Sequence, residues 1–165
     1  MTNKTLPVAP RRDVQPDSPF RELIRILGLL ERQMNPYFAR FGISGAQWGV
    51  LRNLHRAEQE GLAGFRLTDL SERLLVRPPS VTGVVDRLER VGLVQRDSVS
   101  SDLRAKRVSL TPQGRALVER VLAGHANQIA YVMGGLSARE QADLGRLLYK
   151  LRLHLLELDG EAPVY

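Results

Sequence analysis

The stretch SVTGVVDRLERVGLVQRDSVSSDLRAKRVSLTPQG, Ser80 to Gly114, changes its hydrophobic rhythm partway along. Up to Val91 the apolar residues Val81, Val84, Val85 and Leu88 fall three or four apart or side by side, the pattern of one helix face. Gly92 stands where such a helix needs a left-handed residue to end. Beyond it the period drops to two. LVQRDSV and AKRVSLT read as the strands of an antiparallel hairpin joined by a polar tip. Thr111-Pro112 then carries the cap-plus-proline signature that opens another helix.

Upstream, Pro78 and Pro79 cannot sit inside a helix, so Arg77 and Pro78 are pushed toward extended backbone and Pro79 can open the helix that follows. A compact helix follows Thr68, with Leu70 and Leu74 facing inward, and GLAGF marks a turn before it. GAQWGVLRNLHRA reads as a helix bearing Trp48, Leu51 and Leu54, set off by a break at Gly42-Ile43-Ser44. Ser18-Pro19 caps a first helix whose apolar residues are Phe20, Leu23, Ile24, Leu27, Leu30, Met34 and Phe38. On the other side, the helix after Thr111 carries Leu117, Val118, Val121, Leu122, Ile129 and Val132 until Gly134-Gly135 breaks it. Ser137 and Glu140 form a capping box for the last helix. There Leu144, Leu148, Leu151, Leu155 and Leu158 step by 4, 3, 4 and 3, a coiled-coil-like seam.

The expected fold is mainly α with a small β-hairpin. Two short helices followed by a hairpin make a winged helix-turn-helix, placed at about residues 44–111 of a single domain spanning 19–158. Helices over about 19–41 and 112–158 carry more apolar surface than so small a module can cover, which argues for dimerisation helices and a homodimer. Residues 1–18, with Pro7, Pro10 and Pro16 and no periodicity, read as a flexible arm, and 159–165 as a tail.

Composition narrows the function. The 165 residues are 43% hydrophobic and 25% charged, as in globular proteins, and include no cysteine. That removes disulfides, thiolate metal sites and cysteine chemistry. No apolar run approaches the roughly 18 residues that span a bilayer, and the first residues lack the apolar core of a secretory leader. A cytoplasmic protein without membrane contact is expected. The three histidines, His55, His125 and His154, are dispersed, so no metal or other cofactor is expected. No phosphate-cradling glycine loop, carboxylate pair or nucleophile–base motif points to an enzyme. The net charge is +6 and unevenly spread: residues 77–115 hold 8 basic and 4 acidic side chains, residues 116–165 hold 5 and 6. The excess surrounds the opening stretch, and double-stranded DNA is the acidic partner it suits.

A helix with an exposed polar N-terminus can enter the major groove, where base edges are distinguishable. Here that end displays Arg77, Ser80 and Thr82, with Gly83 allowing close approach; local backbone bonding is the competing use of the two hydroxyls. Arg87, two turns along, is placed for a phosphate. The hairpin tip offers Arg104, which can enter the electronegative minor groove, while Lys106 and Arg107 can neutralise flanking phosphates. Asp102 can pair with Arg96 or Arg104 and so fix the shape of the wing.

Gly92-Leu93-Val94, Arg96, Asp102-x-Arg104, Val108, Leu110-Thr111 and Gly114 together form a run that resembles the MarR family of bacterial winged-helix transcription regulators. SVTGVVDRLERVG is similar to that family's recognition helix and SGAQWGVL to its second helix, and the resemblance covers about Phe20 to Leu158. It implies a homodimer with interleaved terminal helices, two winged lobes on a pseudo-palindromic operator, and repression. It also implies DNA contacts by Ser80, Thr82, Arg87 and Arg96, with Arg104 as the wing arginine and Asp102 as its supporting acid. Arg77-Pro78-Pro79 departs from the usual polar opening of the recognition helix, and the absence of cysteine excludes the thiol-oxidising peroxide sensors of the family. Members commonly release DNA when a small aromatic anion binds between the dimer helices and the lobe. Arg21, Tyr37, Trp48 and His55 are the candidates for such a site, the basic groups for a carboxylate and Trp48 for a ring. An effector-independent DNA-binding protein and a winged-helix module that contacts protein are the competing readings.

Overall fold

The computed structural model describes residues 18–74, 78–99 and 102–160. Arg77, the arm apart from Ser18, and residues 161–165 lie outside them, as do the side chains of Asp102 and Arg104. In chain order the elements are α1 (Pro19–Ala39), α2 (Gly45–Gln59), α3 (Leu67–Leu74), α4 (Pro78–Arg90), β1 (Val94–Val99), β2 (Asp102–Leu110), α5 (Pro112–Met133) and α6 (Ala138–Gly160).

The helices begin where their caps are written. Ser18 accepts from the Arg21 N–H ahead of Pro19. Ser44 and Gln47 form a reciprocal capping box at 3.2 and 2.8 Å. Thr111 accepts from the Gly114 N–H at 3.0 Å, and Ser137 and Glu140 exchange bonds at the start of α6. Two starts fall earlier than the sequence reading has them, by two residues at α3 and by one at α4. The Asp69 carboxylate takes the Arg66 N–H at 3.1 Å, so α3 begins at Leu67 rather than after Thr68. α4 begins at Pro78, not Pro79. Neither proline has an N–H to lose, and the first-turn amides of a helix have no intrahelical acceptor in any case. α1 also runs through Pro36, which hydrophobic spacing does not reveal. The proline deprives the carbonyl of exposed Arg32 of its intrahelical donor, and water is available there to replace it.

β1 and β2 pair antiparallel, with Val94 opposite Leu110, Arg96 opposite Val108 and Asp97 opposite Arg107, and an irregularity after Ser98. The hairpin is extended by a bridge the sequence does not announce. Phe65, in the stretch read as a turn, exchanges backbone bonds with Val108 at 3.1 and 2.8 Å. Gly64 makes this possible, since a Cβ there would fall 2.3 Å from the Val108 oxygen.

One core joins these elements. Leu51, Leu54, Leu70, Val81, Val85, Leu88, Val108 and Val118 are all but fully buried, and Phe38, Trp48 and Leu117 close it on the α1 and α5 sides. Its α4 members are the residues whose spacing marked the helix face. Outside this lobe the pattern reverses. Phe20, Ile24 and Leu27 of α1 are exposed, and Leu148, Leu151, Leu155 and Leu158 of α6 stand 38–54% open. α6 is scarcely touched by the rest of its own chain.

Candidate nucleic-acid interface

With Val81, Val84, Val85 and Leu88 turned to the core, the opposite side of α4 presents Ser80, Gly83, Arg87 and Arg90. Spacings of three and four align these four along one stripe. Ser80, Arg87 and Arg90 are exposed. A Cβ at Gly83 would lie 3.8 Å from the Arg87 guanidinium, so the arginine folds back over the space the glycine leaves. Thr82 is half-buried on the flank of the stripe and already engaged by a neighbour.

Among the described residues, one side chain fastens the wing to this helix. Arg96 of β1 shares the inner face of the hairpin with buried Val108, the residue opposite it. It donates to Asp86 at 2.5 Å and to Glu89, both on α4. Its side chain is only 18% exposed, and the hydrogen bond it donates to Asp86 raises its pKa above the ordinary arginine value. The pairing of Asp102 with Arg96 or Arg104 offered by the sequence lies outside the described side chains. The helix carboxylates reach Arg96 because Asp86 and Glu89, three residues apart, share the flank that faces β1. The outer face of the hairpin has its own network, with Asp97 accepting from Ser109 at 2.9 Å and from Gln95 at 3.1 Å. Lys106 and Arg107 are both exposed but, as neighbours in a strand, point to opposite faces. Lys106 projects on the side of Arg96 and Val108, Arg107 on the side of Asp97.

The four residues considered for a small ligand do not converge. Tyr37 and Trp48 are buried. The Tyr37 hydroxyl donates to the Val121 carbonyl at 2.5 Å, and Trp48 stacks on Phe38 with centroids 5.7 Å apart. His125 completes this cluster 5.2 Å from Trp48, and burial followed by the Arg52 charge lowers its pKa. His55 is half-buried, with Nδ1 3.0 Å from an Arg52 nitrogen. Arg21 sits sixteen residues before Tyr37 on the same helix, about 24 Å away along its axis.

A separate groove of about 470 Å³ opens between α1, α2 and α4, with Leu74 at its edge. Leu27, Leu30, Met34 and Phe38 form its α1 side, and the small residues Gly45, Ala46 and Gly49 keep its α2 side open. Val81 and Val84 close it, with Ser80 at the margin. Glu31 and Asn35 also line it. Sequence reasoning passes over both, although an acid between Leu30 and Met34 on an otherwise apolar face is a visible signal.

The fold and these surfaces have relatives. A model of the MarR family matches residues 41–105, which run from the end of α1 through the wing. The regulator PecS of Dickeya dadantii is 26% identical over 147 residues, 89% of this chain and 87% of PecS. A probable transcriptional regulator from Pseudomonas aeruginosa superposes with a TM-score of 0.74 at 27% identity, covering 82% of this chain and 97% of that one. A mutant MarR from E. coli, solved in complex with operator DNA, gives 0.73 at 29% identity over 81% of this chain and 94% of its own. These matches support a MarR-family winged helix-turn-helix transcriptional regulator. The mainly helical fold with a two-stranded antiparallel wing is that of the MarR structures, as the sequence reading expects. MarR proteins are a class of regulators and not of enzymes. Among the described residues no group of three or more metal-ligating side chains occurs, and no helix is long and apolar enough to cross a membrane.

Proposed function

We propose that the protein is a sequence-specific, DNA-binding repressor that acts as a cytoplasmic homodimer on a pseudo-palindromic operator and is released by a small ligand. The observation that carries this reading is the exposed Ser80–Gly83–Arg87–Arg90 stripe of α4, set beside a basic wing and locked to it through Arg96. In this reading α4 enters the major groove. Ser80 and Thr82 meet base edges there, Arg77 adds charge at its start, and Arg87 meets a phosphate. Arg104, supported by Asp102, reaches the minor groove, while Lys106 and Arg107 serve phosphates on either side of the wing. Arg96 acts through Asp86 and Glu89 and is a positioning residue. The open leucines of α6 and the exposed Phe20 and Ile24 at the start of α1 supply the contact between two copies. The solved operator complex of a relative supports the partner class.

Release follows if a ligand in the groove favours one spacing of α1 against α4. A dimer reads half-sites about 34–36 Å apart only when its two recognition helices match that distance.

Selection from a random-sequence DNA library at two salt concentrations tests this reading. A two-fold-related motif is the expected enrichment. Salt-sensitive binding without a motif would overturn sequence reading, and no binding would move the weight to a protein-interaction module. On the selected DNA, Arg104→Ala should weaken binding at least tenfold, reduce the salt slope by about one ion and leave the dimer intact. Unchanged affinity would remove the wing from the interface.

A further inference from the structure

The groove between α1, α2 and α4 is built for a particular charge. Its wall is apolar, and at about 470 Å³ it lies within the roughly 300–1,000 Å³ usual for small-molecule sites. Its depth depends on small residues of α2, since a Cβ at Gly49 would already touch Leu74 at 3.4 Å. Three polar side chains interrupt the wall: Glu31 and Asn35, one turn apart on α1, and Ser80 across from them on the first turn of α4. Among the described residues, the side chains of Glu31 and Asn35 make no hydrogen bond or ion pair. No lysine, arginine or histidine among those residues lines the groove. A carboxylate at the lip of an apolar slot attracts a cation more strongly than it would in open water, and repels an anion. An aromatic anion would meet Glu31 and, among the described residues, no basic partner on the wall.

We propose that this groove is the effector site and that it takes a lipophilic cation, with the hydrophobic body against Leu30, Met34, Phe38 and Val84 and the positive charge at Glu31. The proposal rests on the reading of the chain as a ligand-released DNA-binding regulator, and it replaces the aromatic anion expected from the sequence. Because Ser80 and Val81 belong to the first turns of the recognition helix, an occupant touches α1 and the DNA-reading element together. The route from ligand to DNA is one helix turn long.

Tetraphenylphosphonium and its near-isosteric anion tetraphenylborate separate charge from shape. The full-length protein is titrated with each by calorimetry. The fluorescence of Trp48, the only tryptophan, reports through the Phe38 ring that stacks on it and lines the groove. The expected result is saturable binding of the phosphonium, one per chain, weakened about three- to tenfold by Glu31→Gln, with the borate weaker and not sensitive to that change in the same sense. The net charge of +6 works in the opposite direction, so general attraction cannot produce this preference. Glu31 is exposed, and Glu31→Gln should fold normally, as circular dichroism checks.

Absence of phosphonium binding, indifference to Glu31→Gln, or preference for the borate or for salicylate would overturn the cation site. A second copy of the chain seated in the groove would give the first of these results. The library-selected DNA is then titrated with and without phosphonium. Loss of DNA affinity supports the effector role, and Glu31-dependent binding that leaves DNA affinity unchanged overturns it. If the protein binds no DNA at all, the regulator reading fails on its own, while the phosphonium titration still judges the groove.

Discussion

A chain carrying Leu148→Glu and Leu151→Glu is expected to be monomeric at micromolar concentration and to lose operator affinity at least a hundredfold. Leu148 and Leu151 are 42% and 38% exposed and sit in the middle of the seam that runs from Leu144 to Leu158. Among the described residues little of the same chain covers this seam, and Leu147, Tyr149, Leu153 and Leu156 widen it. Burying one leucine contributes roughly 1.5–3 kcal/mol, and burying a glutamate without a partner costs several more. Four such glutamates in a two-fold contact exceed what an ordinary dimer interface supplies. The loss on DNA then follows from linkage, because two lobes on one body bind two half-sites with an effective concentration that separate lobes lack. Sedimentation gives the mass and fluorescence anisotropy gives the affinity. The lobe should stay folded, since its core draws on no residue of α6. A double variant that remains a dimer would place the interface elsewhere.

Gly114→Ala is expected to destabilise the protein by about 3 kcal/mol, lowering its melting temperature by roughly 10 °C. A Cβ on Gly114 would lie 2.0 Å from the Leu93 carbonyl oxygen and 3.3 Å from a Leu110 methyl. Neither backbone can yield easily. The Thr111 hydroxyl donates to the Gly92 carbonyl at 2.6 Å, and the Thr111 N–H donates to Leu93 at 3.2 Å. The end of the recognition helix, the return strand of the wing and the start of α5 therefore meet at one glycine. Gly145→Ala is the control. A Cβ there meets nothing within 4 Å, and the substitution should stabilise α6 by a few tenths to 1 kcal/mol. Equal effects at the two positions would show that helix propensity, and not the Leu93 contact, governs Gly114.

The elements of the lobe were legible because each carries its own punctuation. The change of period at Gly92, with φ of +71°, and the caps at Ser44, Thr111 and Ser137 are local signals, and local physics enforces them. Ser80 and Arg87 emerge on the exposed side of α4 for the same reason: the apolar spacing that buries Val81 and Val85 leaves them opposite. What could not be read is what depends on two elements meeting. The grip of Asp86 and Glu89 on Arg96 joins residues ten and seven apart across a turn, and the Phe65 bridge joins residues more than forty apart. The ligand candidates depend on such meetings too. An aromatic residue can serve a ligand or a core, and Trp48 and Tyr37 pack against Phe38 and His125. Glu31 and Asn35 acquire meaning only once α2 and α4 lie across from them.

The Arg96 fastening also sets how this regulator could be re-engineered. A graft that imports a foreign recognition helix but keeps the host hairpin would strand Arg96, 18% exposed, without its two carboxylates. The wing would then lose its registration against the new helix, and in the proposed DNA-bound arrangement a correct set of base contacts would lack its companion in the minor groove. Residues 78–99 form the smallest exchangeable cassette, and a library that randomises the reading stripe should hold positions 86, 89 and 96 fixed.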